Sequence, residues 1–368
     1  MLAWFDSLGR NPANREPLIK IPPSDPPPID PSSLMSSLGY DPPNPTHATS
    51  KPPGNSHQER SVYLPDLFCS IMAAKPTINP NYSHVKSKGN PLIVNALQAD
   101  DKYAAKLSEI DFAYLTAIWA PSCGEDAFQV LVDWSTWIFL FDDQFDEGHL
   151  KDNPIAAEEE IGKIIAIMNG TRRSVSMYED PLGFIFQTVW DRIAKSASHA
   201  TQQRLKDAHE DFFCGQLQQV RATGGLRIGP RDVHKYLELR RKNVGVYSAF
   251  ACCEAILGID LPQNVQTHPS LQELSYLSTE MVILCNDILS YKRDIQEGTD
   301  YNLIEVLMEH GISTQQAMDK AGEMLIDCYK RWYTALANLP IWGEETDRQV
   351  LKFIDLRRDM ALGNLHWR

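Results

Sequence analysis

The chain has 368 residues, 43% of them hydrophobic, enough to bury one large core or two modest ones. A formal charge of -13 with no basic stripe argues against nucleic acid as a partner, and a phosphorylated ligand would need metal cations as adaptors. The opening residues lack an apolar signal core and no unbroken apolar run reaches about 18 residues, so neither secretion nor a membrane span is expected. Seven cysteines without C-x-x-C spacing read as reduced core residues of a cytoplasmic protein.

Thirteen of the 24 prolines fall before residue 54, among Ser and Asn and with little apolar periodicity. Such a segment buries too little surface to offset its ordering entropy, so residues 1–60 are expected to form a disordered or loosely packed tail ahead of one folded domain, 61–368. From Ser61 onward apolar residues recur at helical spacing, with almost no alternating β-branched runs. Helices are predicted at 101–118, 124–146, 155–169, 179–197, 200–222, 230–257, 269–297, 301–309, 313–338 and 343–362. Breaks fall at Pro121, Gly148, Gly170, Gly229-Pro230, Pro262, Gly298, Gly311 and Pro340. The fold class is all-α, with no repeat of solenoid period.

The chemistry is carried by two polar stripes. The run Asp142-Asp143-Gln144-Phe145-Asp146-Glu147 closes the apolar stretch Val130–Phe141, and in a helix Asp142 and Asp146 lie one turn apart on one face. Asn286, Ser290 and Asp294 repeat that geometry at i, i+4 and i+8. An acidic run at a helix end is ordinarily a solvated face, but the helix containing Trp134–Phe141 is too apolar to be exposed and carries its aspartates inward. Oxygen donors gathered in an oily bundle are costly unless hard cations neutralise them. Magnesium fits best, because it keeps several waters and completes its shell with substrate phosphate oxygens. Asp287, one position off the stripe, is expected to make a structural contact.

On these two motifs the chain resembles the class I terpene cyclases, within them the single-domain fungal sesquiterpene synthases, over roughly residues 60–367. Asp142–Asp146 is similar to the family's first metal motif, and Asn286–Asp294 to its NDxxSxxxE motif with Asp for the usual Glu. The resemblance implies a class I terpenoid synthase α-bundle, an isoprenyl diphosphate substrate with farnesyl diphosphate favoured, and three Mg2+ ions. Two of these would be associated with Asp142 and the third with Asn286, Ser290 and Asp294. Leu239–Gly245 is similar to the diphosphate-sensor region, which makes Arg240 rather than Arg241 the sensor and places a helix break at Gly245 that turns the Val244 carbonyl toward the substrate. Arg293 resembles a diphosphate-contacting base. The aromatic candidates for facing a carbocation are Trp119, Phe139, Phe213, Trp332 and Trp367. Family members continue past the segment matching Gly363–Trp367 into an Arg-Tyr pair. This sequence stops at Arg368, which is expected to be too close to Trp367 to take that place. The alternatives are a chain-elongating prenyltransferase, disfavoured by Asn286–Ser290, and a low-activity or non-catalytic relative. A monomer or homodimer is expected.

Overall fold

The computed structural model describes residues 18–21, 60–146, 148–222, 231–298 and 301–368. Among them are fifteen α-helices and one two-stranded ribbon. The ribbon pairs β1 (Leu18–Ile21) with β2 (Arg60–Tyr63) antiparallel, Leu18 opposite Tyr63 and Ile21 opposite Arg60. Five residues of the expected tail, 18–21 and 60, are therefore paired, and the rest of it lies outside the described residues.

The helices begin with α1 (Tyr82–Ser87), α2 (Pro91–Ala96), α3 (Asp101–Ile110), α4 (Phe112–Trp119) and α5 (Glu125–Asp146). They continue as α6 (Pro154–Met168), α7 (Pro181–Ser196), α8 (His199–Ala222), α9 (Val233–Asn243) and α10 (Val246–Leu257). The last five are α11 (Gln263–Gln266), α12 (Pro269–Gln296), α13 (Leu303–Met308), α14 (Thr314–Ala337) and α15 (Glu344–Trp367). No described helix is long and apolar enough to cross a membrane.

The bundle forms around α12, whose 28 residues span about 42 Å. It is buried on nearly every side because Leu, Ile, Val and Met occupy more than one stripe of its surface. Helices α14, α15 and α9 all pack against α12. Helix α5 is buried from Phe128 to Phe141 except at the half-buried Gln129 and Phe139, and packs against α4, α7 and α10. Strand β2 is held to α14 by Gln315, which accepts from the Tyr63 N–H at 2.8 Å and donates to its carbonyl at 3.1 Å.

Two expected helices are interrupted. The 101–118 helix breaks at Asp111, which takes a left-handed conformation (φ 60°) and caps α4 by accepting from the Tyr114 N–H. Tyr82 and Lys86 of α1 hold that carboxylate, and this local pairing offsets the backbone cost. The 230–257 helix breaks at Val244–Gly245, where Gly245 has φ 74° and α10 starts afresh. The short helices α1 and α2 and the 3-10 turn Ser70–Ala73 lie where the pattern predicts nothing, since four to six residues are too few to show a period.

Candidate active site

Helices α4, α5, α8, α9, α10, α12 and α15 enclose a cavity of about 780 Å³. Its inner wall is apolar, with Leu115, Trp119, Phe139, Phe212, Val282 and Met360 among the lining residues. Its rim is polar, because the C-terminal halves of α5 and α12 end there together with α9. A cavity in the size range of ligand pockets, oily inside and charged at one end, suits an amphiphile with an anionic head.

Both predicted stripes reach this rim. Asp142, Asp146, Asn286, Ser290 and Asp294 all line the cavity, as do Arg240, Val244, Gly245, Arg293, Trp119 and Phe139. Burial, then the charges of Asp146 and Asp143, push the Asp142 carboxyl well above the usual range, against the opposing pull of Arg240. Asp294 is tightly satisfied: one oxygen accepts from Ser290 Oγ at 2.6 Å and Asn302 Nδ2 at 2.8 Å, the other from Arg293 at 2.8 and 3.1 Å.

Arg240 and Arg241 part company. Arg240 stands at the wall, held by Asp287 at 3.1 Å and beside the Tyr301 ring. Asp287 itself turns away from the stripe and also accepts from Tyr236 Oη at 2.6 Å and the Leu303 N–H at 3.0 Å. Arg241 faces the other way, onto Glu280 at 2.8 Å and the ring of Tyr276.

Three aromatic candidates do not reach the wall. Phe213 is fully buried but packs on Phe141 and His209, and its neighbour Phe212 lines the cavity instead, a difference of one residue and hence about 100° around the helix. Trp332 is buried on α14, which supplies no lining residue because it packs on the far side of α12. Trp367 stands behind Phe139, tilted against it and stacked on Phe112, with its indole N–H donated to the Ile110 carbonyl at 2.6 Å.

Other residues at or behind the wall are not among the sequence candidates. Arg368, set aside there, lines the cavity, where burial and the charges of Arg293 and Arg240 push its guanidinium down to about 9. Gln216 and Gln219 of α8 donate to Asp142 and Asp146, the second at 2.6 Å. The available signal was a polar residue in the buried stripe Leu205, His209, Phe212, Gln216, Val220.

The residues present fit divalent cations. No described cluster of three or more acidic, His or Cys side chains closes a metal site by itself. Oxygen donors instead stand on two walls of one cavity, an arrangement suited to an ion that shares its shell with a substrate oxygen. Among the buried polar atoms at the wall without a hydrogen-bond partner are Asn286 Oδ1, an acceptor suited to a cation, and Arg240 Nε, a donor suited to an anion.

A site of this design on an all-α bundle defines a class I terpenoid synthase fold. Residues 133–331 match the family model described as terpene synthase family 2, C-terminal metal binding. The chain is 40% identical to (+)-eremophilene synthase of Gibberella fujikuroi over 306 residues, 83% of this chain and 86% of that one. It is 34% identical to silphinene synthase of Penicillium patulum over 321 residues, 85% of each chain. The solved structure of α-eudesmol synthase superposes with a TM-score of 0.70 at 23% identity, covering 80% of this chain and 96% of that one. The chain belongs to the terpene synthase family.

Proposed function

We propose that this chain is a magnesium-dependent sesquiterpene cyclase that ionises farnesyl diphosphate, cyclises the resulting carbocation and releases diphosphate. The observation that carries the reading is one cavity with an aromatic and aliphatic interior and a rim bearing Asp142, Asn286 and Arg240. Relatives named for sesquiterpene products at 34–40% identity support the C15 substrate. When bound, three magnesium ions held by Asp142, Asn286, Ser290 and Asp294, with Asp146 near the first, would stabilise the departing diphosphate as Lewis acids.

The protein's own part is positioning and exclusion. Arg240 presents a guanidinium fork to the diphosphate, and Arg293 and Arg368 add positive charge on the same rim. The isoprenoid chain folds against Trp119, Phe139 and Phe212, whose π faces attract a cation and whose bulk excludes water. Val244 and Gly245 line the wall where α9 ends and the chain turns before α10. All seven cysteines are free thiols, which supports a reducing compartment such as the cytoplasm.

Incubation with farnesyl diphosphate and Mg2+, followed by hydrocarbon extraction and mass spectrometry, tests the reading. A cyclic C15 product is expected. A longer diphosphate would indicate a chain-elongating transferase instead, and no turnover would indicate a binding-only relative.

A further inference from the structure

Helix α8 reaches both ends of the rim. Gly215 lets it lie unusually close to the end of α9, since a Cβ there would stand 2.8 Å from Lys242 Cβ and 2.9 Å from the Asn243 nitrogen. One residue on, the fully buried Gln216 uses a single amide nitrogen twice, donating to Asp142 Oδ1 and, at 3.2 Å, to the Asn243 carbonyl. Asn243 is the last residue of α9, so its carbonyl is among those a helix terminus leaves without an intrahelical partner. Gln219, one turn further, donates to Asp146 at 2.6 Å and accepts from Asn243 Nδ2, which also reaches Tyr301 Oη at 3.1 Å.

We propose that Gln216 and Gln219 are positioning residues that tie the carboxylates of Asp142 and Asp146 to the helix break at Asn243–Gly245, so that the metal-facing wall and the wall at Val244–Gly245 are set together. The inference rests on the cyclase reading above. Both amides point an N–H toward a carboxylate and also engage Asn243: Gln216 donates to its carbonyl while its own Oε1 has no partner, and Gln219 accepts from its Nδ2. A carboxylate that changes its distance to α8 therefore pulls on the residue immediately before the break. An apolar side chain of the same length would fill the space and transmit nothing.

The test is Gln216→Leu and Gln219→Leu, alone and together, with Gln218→Leu as control, because Gln218 is exposed on the same helix and outside the cavity. Three quantities are read: the thermal shift produced by Mg2+ plus inorganic diphosphate, the separate kcat and KM values, and the fraction of acyclic products. For Gln216→Leu the expected result is native helicity, a reduced thermal shift, a loss of kcat of about tenfold or more with a smaller change in KM, and more acyclic product. A buried partner to a metal ligand commonly matters by about 10–100-fold. Gln219→Leu moves all three in the same direction by less, because Asp146 is the more exposed acid. If Gln216→Leu keeps the wild-type thermal shift and acyclic fraction, the coupling is refuted while the cyclase reading stands. If wild type itself shows no shift with Mg2+ and diphosphate, the cyclase reading fails and takes this inference with it. Should Gln216→Leu not fold, Gln219→Leu together with amide hydrogen exchange at residues 243–247 decides the matter, faster exchange being expected and unchanged exchange refuting the link.

Discussion

The contour of the cavity can be perturbed by one methyl group. Gly363 lies in α15 beneath the indole of Trp119, and a Cβ added there would stand 2.6 Å from Trp119 Nε1 and 2.7 Å from Cδ1. Restoring an ordinary 3.4 Å contact requires a shift of about 0.8 Å, and the indole lines the cavity whereas Gly363 does not. Gly363→Ala should therefore press the ring inward. Overpacking of this kind costs about 1–3 kcal/mol, and replacing a mid-helix Gly by Ala returns about 1 kcal/mol of helix propensity. The net loss of stability is then about 0–2 kcal/mol, a fall of at most about 8 °C in melting temperature. Product distribution is the more sensitive reporter, because the folded substrate must share the cavity with the displaced ring. Gas chromatography of the hydrocarbon extract should show the main product losing share to others, with substrate consumption little changed, since the rim is untouched. Adding Trp119→Phe removes the clashing edge of the indole, so the double variant should resemble Trp119→Phe alone, a non-additivity that marks direct contact. An unchanged product profile in Gly363→Ala would refute the reasoning, because the indole would have moved without narrowing the cavity.

Asp142→Asn keeps the shape and removes the charge, so turnover should fall by about a hundredfold or more while circular dichroism stays native; near-wild-type turnover would dismiss Asp142 as a metal ligand. Arg240→Lys should cripple kcat, since a point charge does not reproduce a guanidinium fork, whereas Arg241→Lys should mainly lower melting temperature by losing its stacking on Tyr276. The reverse order in steady-state kinetics would show that the wrong arginine has been assigned. Acid should weaken the fold through His209, which accepts from Trp134 Nε1 at 3.1 Å, donates to the Leu205 carbonyl at 2.7 Å, and is pushed by burial to about 4. The sign follows from linkage: between about pH 6.5 and 4 the unfolded chain takes up a proton that the folded chain refuses, so stability falls with pH over that window, by about 3 kcal/mol in all. Urea titrations of His209→Gln against wild type should show a flatter acid limb, and identical limbs would count against it.

What the sequence discloses is what α-helical geometry alone determines. Asp142 with Asp146, and Asn286 with Ser290 and Asp294, share faces whatever the helices pack against, and the apolar runs around them dictate burial. Asp287 follows from the same register, one residue and about 100° away. Contacts between helices are another matter. That Gln216 meets Asp142, 74 positions away, depends on how closely Gly215 lets α8 approach α9. Phe212 and Phe213 are equally apolar and equally buried, and only the rotation of α8 decides which of them lines the cavity. Trp367 and Phe139 differ likewise, as rear and front members of one aromatic cluster.

The electrostatic design of the rim follows from a chain that is acidic overall yet places Lys151, Arg231, Lys235, Arg240, Arg293 and Arg368 around one opening. Several of these cations are already engaged by protein carboxylates: Arg240 by Asp287, Arg293 by Asp294 and Glu297, Arg231 by Glu309. The carboxylates at the opening are engaged in turn, Asp294 by Arg293 and Asn302, Asp142 and Asp146 by the two glutamines. On the proposed reading, a diphosphate competes with Asp294 for Arg293, and a metal ion competes with Arg293 for Asp294. Each ligand therefore releases the partner that the other needs. Linkage makes that help mutual: whatever factor diphosphate adds to metal affinity, metal adds to diphosphate affinity. The carboxylate of Asp294 accepts from Ser290, Asn302 and Arg293 at once, so freeing it for a cation requires the guanidinium to go elsewhere.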